Sequence, residues 1–231
     1  MRGSFVLASL VAVTSLTDAA PSRDKPPEQR FEEGMLLRFH MHENYGVVRG
    51  IERLLLRGRL EDAKPLAAAI GEAPDEPGMS AYAKHFAEIR QRALDLSRAK
   101  SVDDAFRLEG KLVLACATCH AEVGVVPEPS SVPLPPDRNT LEARMSRHLW
   151  AADRLWMGIV ADSQADWSSG LDVLAGGSRM WPELDAARAP FAKQMQRTAE
   201  TARRVKAPAL AARATTYGEL LTTCASCHTA R

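Results

Sequence analysis

Two motifs of identical pattern hold all four cysteines of this 231-residue chain. The first is Cys116-Ala117-Thr118-Cys119-His120, and the second is Cys224-Ala225-Ser226-Cys227-His228. C-x-x-C-H is the attachment motif of c-type haem, in which two thiols add across the two vinyl groups and the histidine supplies the proximal axial nitrogen. Residues i, i+3 and i+4 share one face of a helix, so all three side chains can meet one macrocycle. The sequence therefore predicts two covalent haems, attached through Cys116, Cys119, Cys224 and Cys227, with His120 and His228 as proximal iron ligands.

Other uses of paired cysteines fit this spacing less well. A zinc ribbon places two C-x-x-C knuckles about 15–20 residues apart, whereas Cys119 and Cys224 are 105 positions apart. A thioredoxin-like site would follow a strand in a βαβ pattern, and neither motif does. Two ordinary disulfides would leave the histidine after each pair unexplained.

Residues 1–19 have the layout of a secretory signal peptide. Arg2 precedes an uncharged, mostly apolar run over residues 5–16, and small residues at Thr17 and Ala19 suit cleavage after Ala19. The apolar run is too short for the ~20 residues of a spanning helix, although an uncleaved anchor is the alternative. We expect a mature chain without a membrane span, exported to a bacterial periplasm, where cytochromes c receive their haem.

The charge balance excludes one class of partner. Thirty basic residues stand against 29 acidic ones, for a formal net charge of +1. A nucleic-acid-binding domain would be strongly basic, so no nucleic-acid partner is expected.

The two halves of the chain are related by a repeat. The histidines of the two motifs are 108 positions apart, and the same offset aligns Gly50-Ile51 with Gly158-Ile159. A Pro-rich segment between the copies is typical of a stiff linker. The predicted organisation is a signal peptide at 1–19, an N-terminal linker at 20–29, a first haem domain at 30–122, a Pro-rich linker at 123–139 and a second haem domain at 140–231.

Apolar residues spaced by three and four predict four helices in each copy. The first copy has them near 30–57, 60–71, 80–99 and 102–121, and the second near 140–162, 165–176, 182–205 and 209–229. Ser80 is a candidate N-cap and Pro182 a candidate first-turn proline. No stretch alternates with period two, so the predicted fold class is all-α, with two tandem four-helix-bundle c-type haem domains.

The position of the motif carries a family resemblance. In each copy the motif stands at the end of the last predicted helix, at Cys116, Cys119 and His120 and again at Cys224, Cys227 and His228. Each copy therefore resembles class II cytochromes c, the cytochrome c′ family, and the whole chain resembles tandem di-haem bacterial cytochromes. The resemblance implies four-helix bundles, electron transfer with redox partner proteins and a possible homodimer.

The distal side of each haem needs a separate prediction. His148 lies on an apolar stripe with Leu155 and Ile159, and its partner at the 108 offset is His40. Both are candidate distal ligands, and Met145 and Met41 are the thioether alternatives, although methionine more often fills gaps in a core. His42 is about 200° around the helix from His40 and should point outward.

These features favour a non-enzymatic electron carrier. The alternative is a cytochrome c′-like protein that binds NO or CO at an open iron. A di-haem peroxidase is disfavoured because no additional acid–base set is evident. We expect the tryptophans in packing roles, and the basic residues at Arg49, Arg53, Arg57 and Arg59 on a solvated helix face.

Overall fold

A computed structural model describes residues 27–74, 80–127, 132–176 and 184–230, with side chains from residue 34 onward. The predicted signal peptide and most of the N-terminal linker lie outside the described residues. Within them the chain forms eight α-helices, a short 3-10 turn at Ser80–Tyr82 and no strand, which confirms the all-α class. The helices are α1 (Pro27–Leu55), α2 (Leu60–Gly71), α3 (Ala83–Ser97), α4 (Val102–Val123), α5 (Leu141–Val160), α6 (Gln164–Leu174), α7 (Ala189–Arg203) and α8 (Leu210–Thr229). None of these helices is long and apolar enough to cross a membrane.

Local side-chain chemistry explains several helix boundaries. The hydroxyls of Ser101, Thr140 and Ser163 cap α4, α5 and α6 by accepting a hydrogen bond from the main-chain N–H three residues later, which satisfies one of the unpaired donors of a helix start. Gly124 adopts the left-handed conformation that ends α4. The predicted N-cap at Ser80 is wrong: Ser80 opens the 3-10 turn, and α3 starts at Ala83.

The seventh helix is shorter than predicted. It begins at Ala189 rather than near 182, with Pro190 in its first turn. Proline is tolerated there because the N–H that it lacks would have no partner within the helix. Pro182, the candidate for this role, lies outside the described residues.

Helices that are consecutive in the chain are also neighbours in space. In the first half α1 packs on α2, α2 on α3 and α3 on α4, and α4 also contacts α1. The second half repeats this order from α5 to α8. Apolar side chains with almost no exposure fill the space between the helices, among them Ile51, Phe106, Leu155, Ile159 and Leu220.

The two motif-bearing helices, α4 and α8, cross in close contact. A Cβ on Gly110 would lie 2.6 Å from the carbonyl oxygen of Ala214, and a Cβ on Gly218 would lie 2.8 Å from that of Phe106. As the α4 contact moves toward the C-terminus, its α8 partner moves toward the N-terminus, so the helices run antiparallel. The two glycines occupy equivalent positions, 108 residues apart, and each lets the backbone of its helix approach the other helix. The two contacts are therefore related by an approximate local twofold axis.

The segment between the halves is fastened to α5. The indole Nε1 of Trp150 and Nη2 of Arg154 both donate to the carbonyl of Val132, at 2.9 and 3.0 Å. Nη1 of Arg147 donates to the carbonyl of Pro135 at 2.7 Å. Residues 132–139 of the predicted linker therefore form no helix and lie against the second half, whereas Val123, its first residue, still belongs to α4.

Candidate functional site

Each C-x-x-C-H motif occupies the last turns of its helix. Cys116, Cys119 and His120 lie near the C-terminal end of α4, and Cys224, Cys227 and His228 near that of α8. The sequence prediction that each triplet is helical is borne out, and the i, i+3, i+4 spacing therefore puts each triplet on one helix face. Cys116 lies six residues beyond Gly110 on α4, and Cys224 lies ten residues beyond Ala214 on α8. Because the helices are antiparallel, the two cysteines lie on opposite sides of the Gly110–Ala214 contact. At 1.5 Å per residue, the two attachment points are ~24 Å apart along the crossed pair.

The cysteines are free thiols in protected surroundings. Cys119 and Cys227 are buried, and Cys116 and Cys224 are half-buried. Burial raises the pKa of Cys116 and of Cys224 to about 12, with a further contribution from the carboxylate of Glu52 at Cys224. Burial therefore favours the protonated form of these two thiols over the thiolate.

The proximal candidates differ in their surroundings. His120 is half-buried, and its Nδ1 is buried with no hydrogen-bond partner among the described residues. Burial lowers the pKa of His120, and a hydrogen bond to the main chain of Val160, at the end of α5, opposes that effect. His228 is exposed at the end of α8. The first motif therefore lies against the second half of the molecule.

The end of α8 likewise approaches the first half of the chain. A Cβ on Gly58, just after α1, would lie 2.9 Å from Cγ2 of Thr229. Just before α7, Nη2 of Arg188 donates to the carbonyl of Ala230 at 3.0 Å. Both motifs are thus held at contacts between elements that are distant in sequence.

His148 approaches the second motif. It is half-buried on α5, which packs against α8, and its pKa is lowered to about 4 by burial and by the nearby His228 and Arg147. An imidazole with this pKa is neutral at physiological pH, the form that coordinates metal ions. The structure therefore brings His148 near His228, as a distal ligand at the second site requires.

His40 has a different environment. Its ring packs edge-on against Phe86 of α3, with the ring centroids 5.2 Å apart. The amide Nδ2 of Asn44 lies 2.8 Å from Nε2 of His40 and donates to it. Close to the first motif, Nε2 of His85 lies 3.4 Å from the carboxylate of Glu122. His40 would have to give up its bond to Asn44 before Nε2 could bind iron.

The remaining distal candidates are less distinctive. Met41 and Met145 are half-buried, and nothing in their surroundings sets them apart from core methionines. His42 is exposed, which confirms its predicted outward orientation.

A buried polar cluster lies between the halves, and the sequence analysis missed it. The guanidinium of Arg49 donates through Nη1 to Glu52 at 2.5 Å and through Nη2 to Asp153 of α5. The hydroxyl of Tyr217, on α8, donates to the same Glu52 oxygen at 2.5 Å. Glu109, on α4, is fully buried beside them. We define these five residues as the interhelical cluster.

Arg49 contradicts a prediction from the sequence, and Glu109 is a residue that the sequence analysis did not single out. The expectation that Arg49 lies on a solvated face is wrong, because it is only 8% exposed, although Arg53, Arg57 and Arg59 are exposed as expected. Glu109 stands in the apolar stripe that leads to Cys116, at the position where the second copy has Tyr217. A carboxylate within an apolar stripe was the available signal.

The motif residues suit haem better than a bare metal ion. No group of three or more His, Cys, Asp or Glu side chains is arranged around a possible metal position in the described part of the chain. Haem iron needs only one or two protein ligands, since its four equatorial nitrogens come from the macrocycle. The neutral imidazole of His148 fits such a requirement. His120 would bind iron through its unpartnered Nδ1, or through Nε2 after giving up its bond to the main chain of Val160. A cavity of about 430 Å³ bordered by Leu134, Trp150 and Asp172 is lined by none of the motif residues.

Comparison with known proteins adds no further constraint. No family model, curated protein or solved structure matches the chain.

Proposed function

We propose that this chain is an exported, periplasmic di-haem c-type cytochrome that carries electrons between redox partner proteins and is not an enzyme. The observation that carries this proposal is the presence of two C-x-x-C-H triplets at equivalent helix ends. Bound haem would supply a one-electron couple at each end of the crossed pair α4 and α8. Cys116, Cys119, Cys224 and Cys227 would hold the two groups, and His120 and His228 would bind their irons.

In this proposal α1–α4 and α5–α8 are two tandem four-helix bundles that each carry one haem. The contacts of consecutive helices within each half, and of the first with the last, support it. The repeat at an offset of 108 supports it independently, because α4 and α8 begin at equivalent positions.

The second site has the stronger case for a six-coordinate iron. His148 combines burial, a low pKa and proximity to His228, and its proposed role is to occupy the distal position. Two protein ligands leave no vacant position for an exogenous gas and favour simple electron transfer.

Binding of NO or CO at the first site is a second candidate function. The hydrogen bond between Asn44 and His40 favours it, because that bond occupies the nitrogen that would otherwise bind iron. With His40 held in this way, the distal side of the first haem would accept a small gas.

The test is a combination of mass and absorption spectroscopy on chain that was exported with the haem-attachment machinery. The intact mass should exceed that of the mature polypeptide by two haems. The H148A variant should change one haem from low-spin to high-spin and open it to CO, whereas the matched control H42A, at an exposed histidine, should not. A mass without covalent haem would overturn the proposal, and an unchanged spectrum in H148A would remove His148 from the iron.

CO binding by the unmodified protein distinguishes the two candidate functions. If one haem binds CO before any substitution, the first site is open and the gas-binding function stands beside electron transfer. If neither haem binds CO, both irons have two protein ligands, and the gas-binding candidate fails.

A further inference from the structure

Glu109 places a carboxyl group in the interior of the protein. It lies in the middle of α4 with 0% exposure. Neither of its carboxyl oxygens has a hydrogen-bond partner among the described residues. A buried ionised carboxylate is strongly unfavourable unless it is paired, so this side chain has a reason to hold a proton.

The charged groups that face Glu109 from the neighbouring helices increase that tendency. Arg49 and Glu52 face it from α1, Tyr217 faces it from α8, and Asp153 of α5 belongs to the same cluster through Arg49. From α3 no side chain forms a hydrogen bond with it in the described part of the chain. Arg49 is already engaged by two carboxylates, those of Glu52 and Asp153.

Within this cluster Arg49 is the cation that faces all three acidic side chains, while Arg53 also acts on Glu52 and Asp153 from outside it. Burial raises the pKa of Glu109 well above its usual range, and the charge on Glu52 raises it further, while Arg49 opposes the shift only in part. Burial also raises the pKa of Glu52, but Arg49 and the Tyr217 hydroxyl counter it there. Glu109 is thus the member of the cluster that carries the proton.

The position of Glu109 relates it to both haem motifs. It precedes Cys116 by seven residues on α4. Tyr217, which belongs to the same cluster and donates to Glu52, precedes Cys224 by seven residues on α8. Seven residues correspond to ~10 Å of helix rise. The cluster therefore lies between the two attachment points, at a distance where a unit change of charge on an iron is felt through the protein interior.

We propose that Glu109 is a proton-binding site whose occupancy is coupled to the haem electron. When a one-electron donor reduces Fe(III) to Fe(II), the loss of positive charge raises the fraction of Glu109 that is protonated. Each carboxylate that responds takes one proton from solvent to form an O–H bond, and oxidation releases that proton. The inference rests on the proposed electron-carrier function, because it requires a redox-active iron near each motif.

The size of the effect follows from Coulomb's law. A unit charge ~15 Å away in surroundings with an effective dielectric constant of ~20 changes the proton-dissociation constant of a carboxyl group roughly five- to tenfold. That change is large enough to make the haem potential depend on pH across the range in which Glu109 titrates.

The experiment is an optical redox titration of the holoprotein at a series of pH values, with E109Q as the variant and E219Q as the control. Glutamine has the shape of a protonated glutamate but cannot titrate, and Glu219 is an exposed carboxylate on α8. The haem potential should fall as pH rises in the wild type and in E219Q. In E109Q the dependence should weaken, leaving only the part that the haem propionates contribute.

The outcomes separate this proposal from the one on which it rests. If intact mass shows no covalent haem, both fail. If both haems are present and E109Q has the same pH dependence as the wild type, only the proton coupling is overturned.

A second measurement covers the case in which E109Q does not fold. Redox-difference infrared spectroscopy of the wild-type holoprotein should show a gain in the protonated-carboxyl C=O band on reduction, with a shift in D₂O. If no such band is gained, the carboxyl does not follow the electron and the proposal is wrong.

Discussion

Arg49, Glu52 and Tyr217 illustrate how strongly single residues connect the halves of this molecule. Arg49 and Glu52 lie on α1, and their partners Asp153 and Tyr217 lie on α5 and α8. Removing one member of a buried charge pair costs about 3–5 kcal/mol, because the other charge is left without compensation. The cluster therefore fixes the relative placement of three helices, and Glu109 completes it from a fourth.

The pH dependence of stability tests the protonation state of Glu109. Its pKa is higher in the folded protein than in the unfolded chain, so the stability it contributes is complete below the unfolded value of about 4.3 and is lost as pH rises through the folded value. E109Q keeps the neutral form at every pH. We expect nearly equal free energies of unfolding for E109Q and wild type at about pH 4, below the unfolded value. At pH 9 we expect E109Q to be more stable by on the order of 1–3 kcal/mol.

Urea denaturation at the two pH values measures this difference, and E219Q serves as the control at an exposed site. If E109Q were less stable than wild type at both pH values, Glu109 would be acting as an ionised partner instead. That result would contradict the assignment of the proton to this residue.

At the scale of the helices, sequence reasoning succeeded where periodicity alone decides the outcome. The apolar spacing predicted all eight helices, and the predicted and observed ends of α2 coincide. It could not predict which helices of the two halves would meet, because that depends on distant residues approaching each other. The crossing of α4 and α8 becomes visible only through the absence of side chains at Gly110 and Gly218.

The crossing predicts opposite effects for two glycine-to-alanine changes. G110A places a methyl group 2.6 Å from a carbonyl oxygen of α8, so the backbones must separate, at a cost of about 1–3 kcal/mol. G46A lies in α1 with nothing within 4 Å of the added carbon. It should stabilise the protein by about 0.5–1 kcal/mol, because alanine loses less conformational freedom than glycine in a helix.

Thermal unfolding of both variants beside the wild type checks this pair. G218A, at the equivalent position of α8, should resemble G110A, since its added carbon would lie 2.8 Å from the carbonyl oxygen of Phe106. A G110A protein as stable as G46A would mean that α4 and α8 do not approach this closely.

For the whole molecule, the repeat predicted two haem domains joined by a linker, and the contacts between the halves add a connection that no linker supplies. The α4–α8 crossing, the Arg49–Asp153 ion pair and the contact of His120 with the main chain of Val160 all join residues of different halves. The sequence contained the signals for the repeat and for the motifs. Arg49 was misread because a basic residue between other basic residues has the pattern of an exposed face.

If the halves share these contacts, they should unfold together. All four tryptophans lie in the second half, so tryptophan fluorescence reports on that half, while circular dichroism reports on all helices. Leu96 of α3 is 2% exposed in the core of the first half, and L96A should cost about 2–5 kcal/mol. We expect it to lower the fluorescence midpoint and the circular dichroism midpoint equally, in a single transition.

L36A, at a leucine of the same half that is 51% exposed, should move neither. If L96A instead gave two circular dichroism transitions, an earlier one for the first half and a later one at the unchanged fluorescence midpoint, the halves would be independent domains. Their shared contacts would then contribute little to stability.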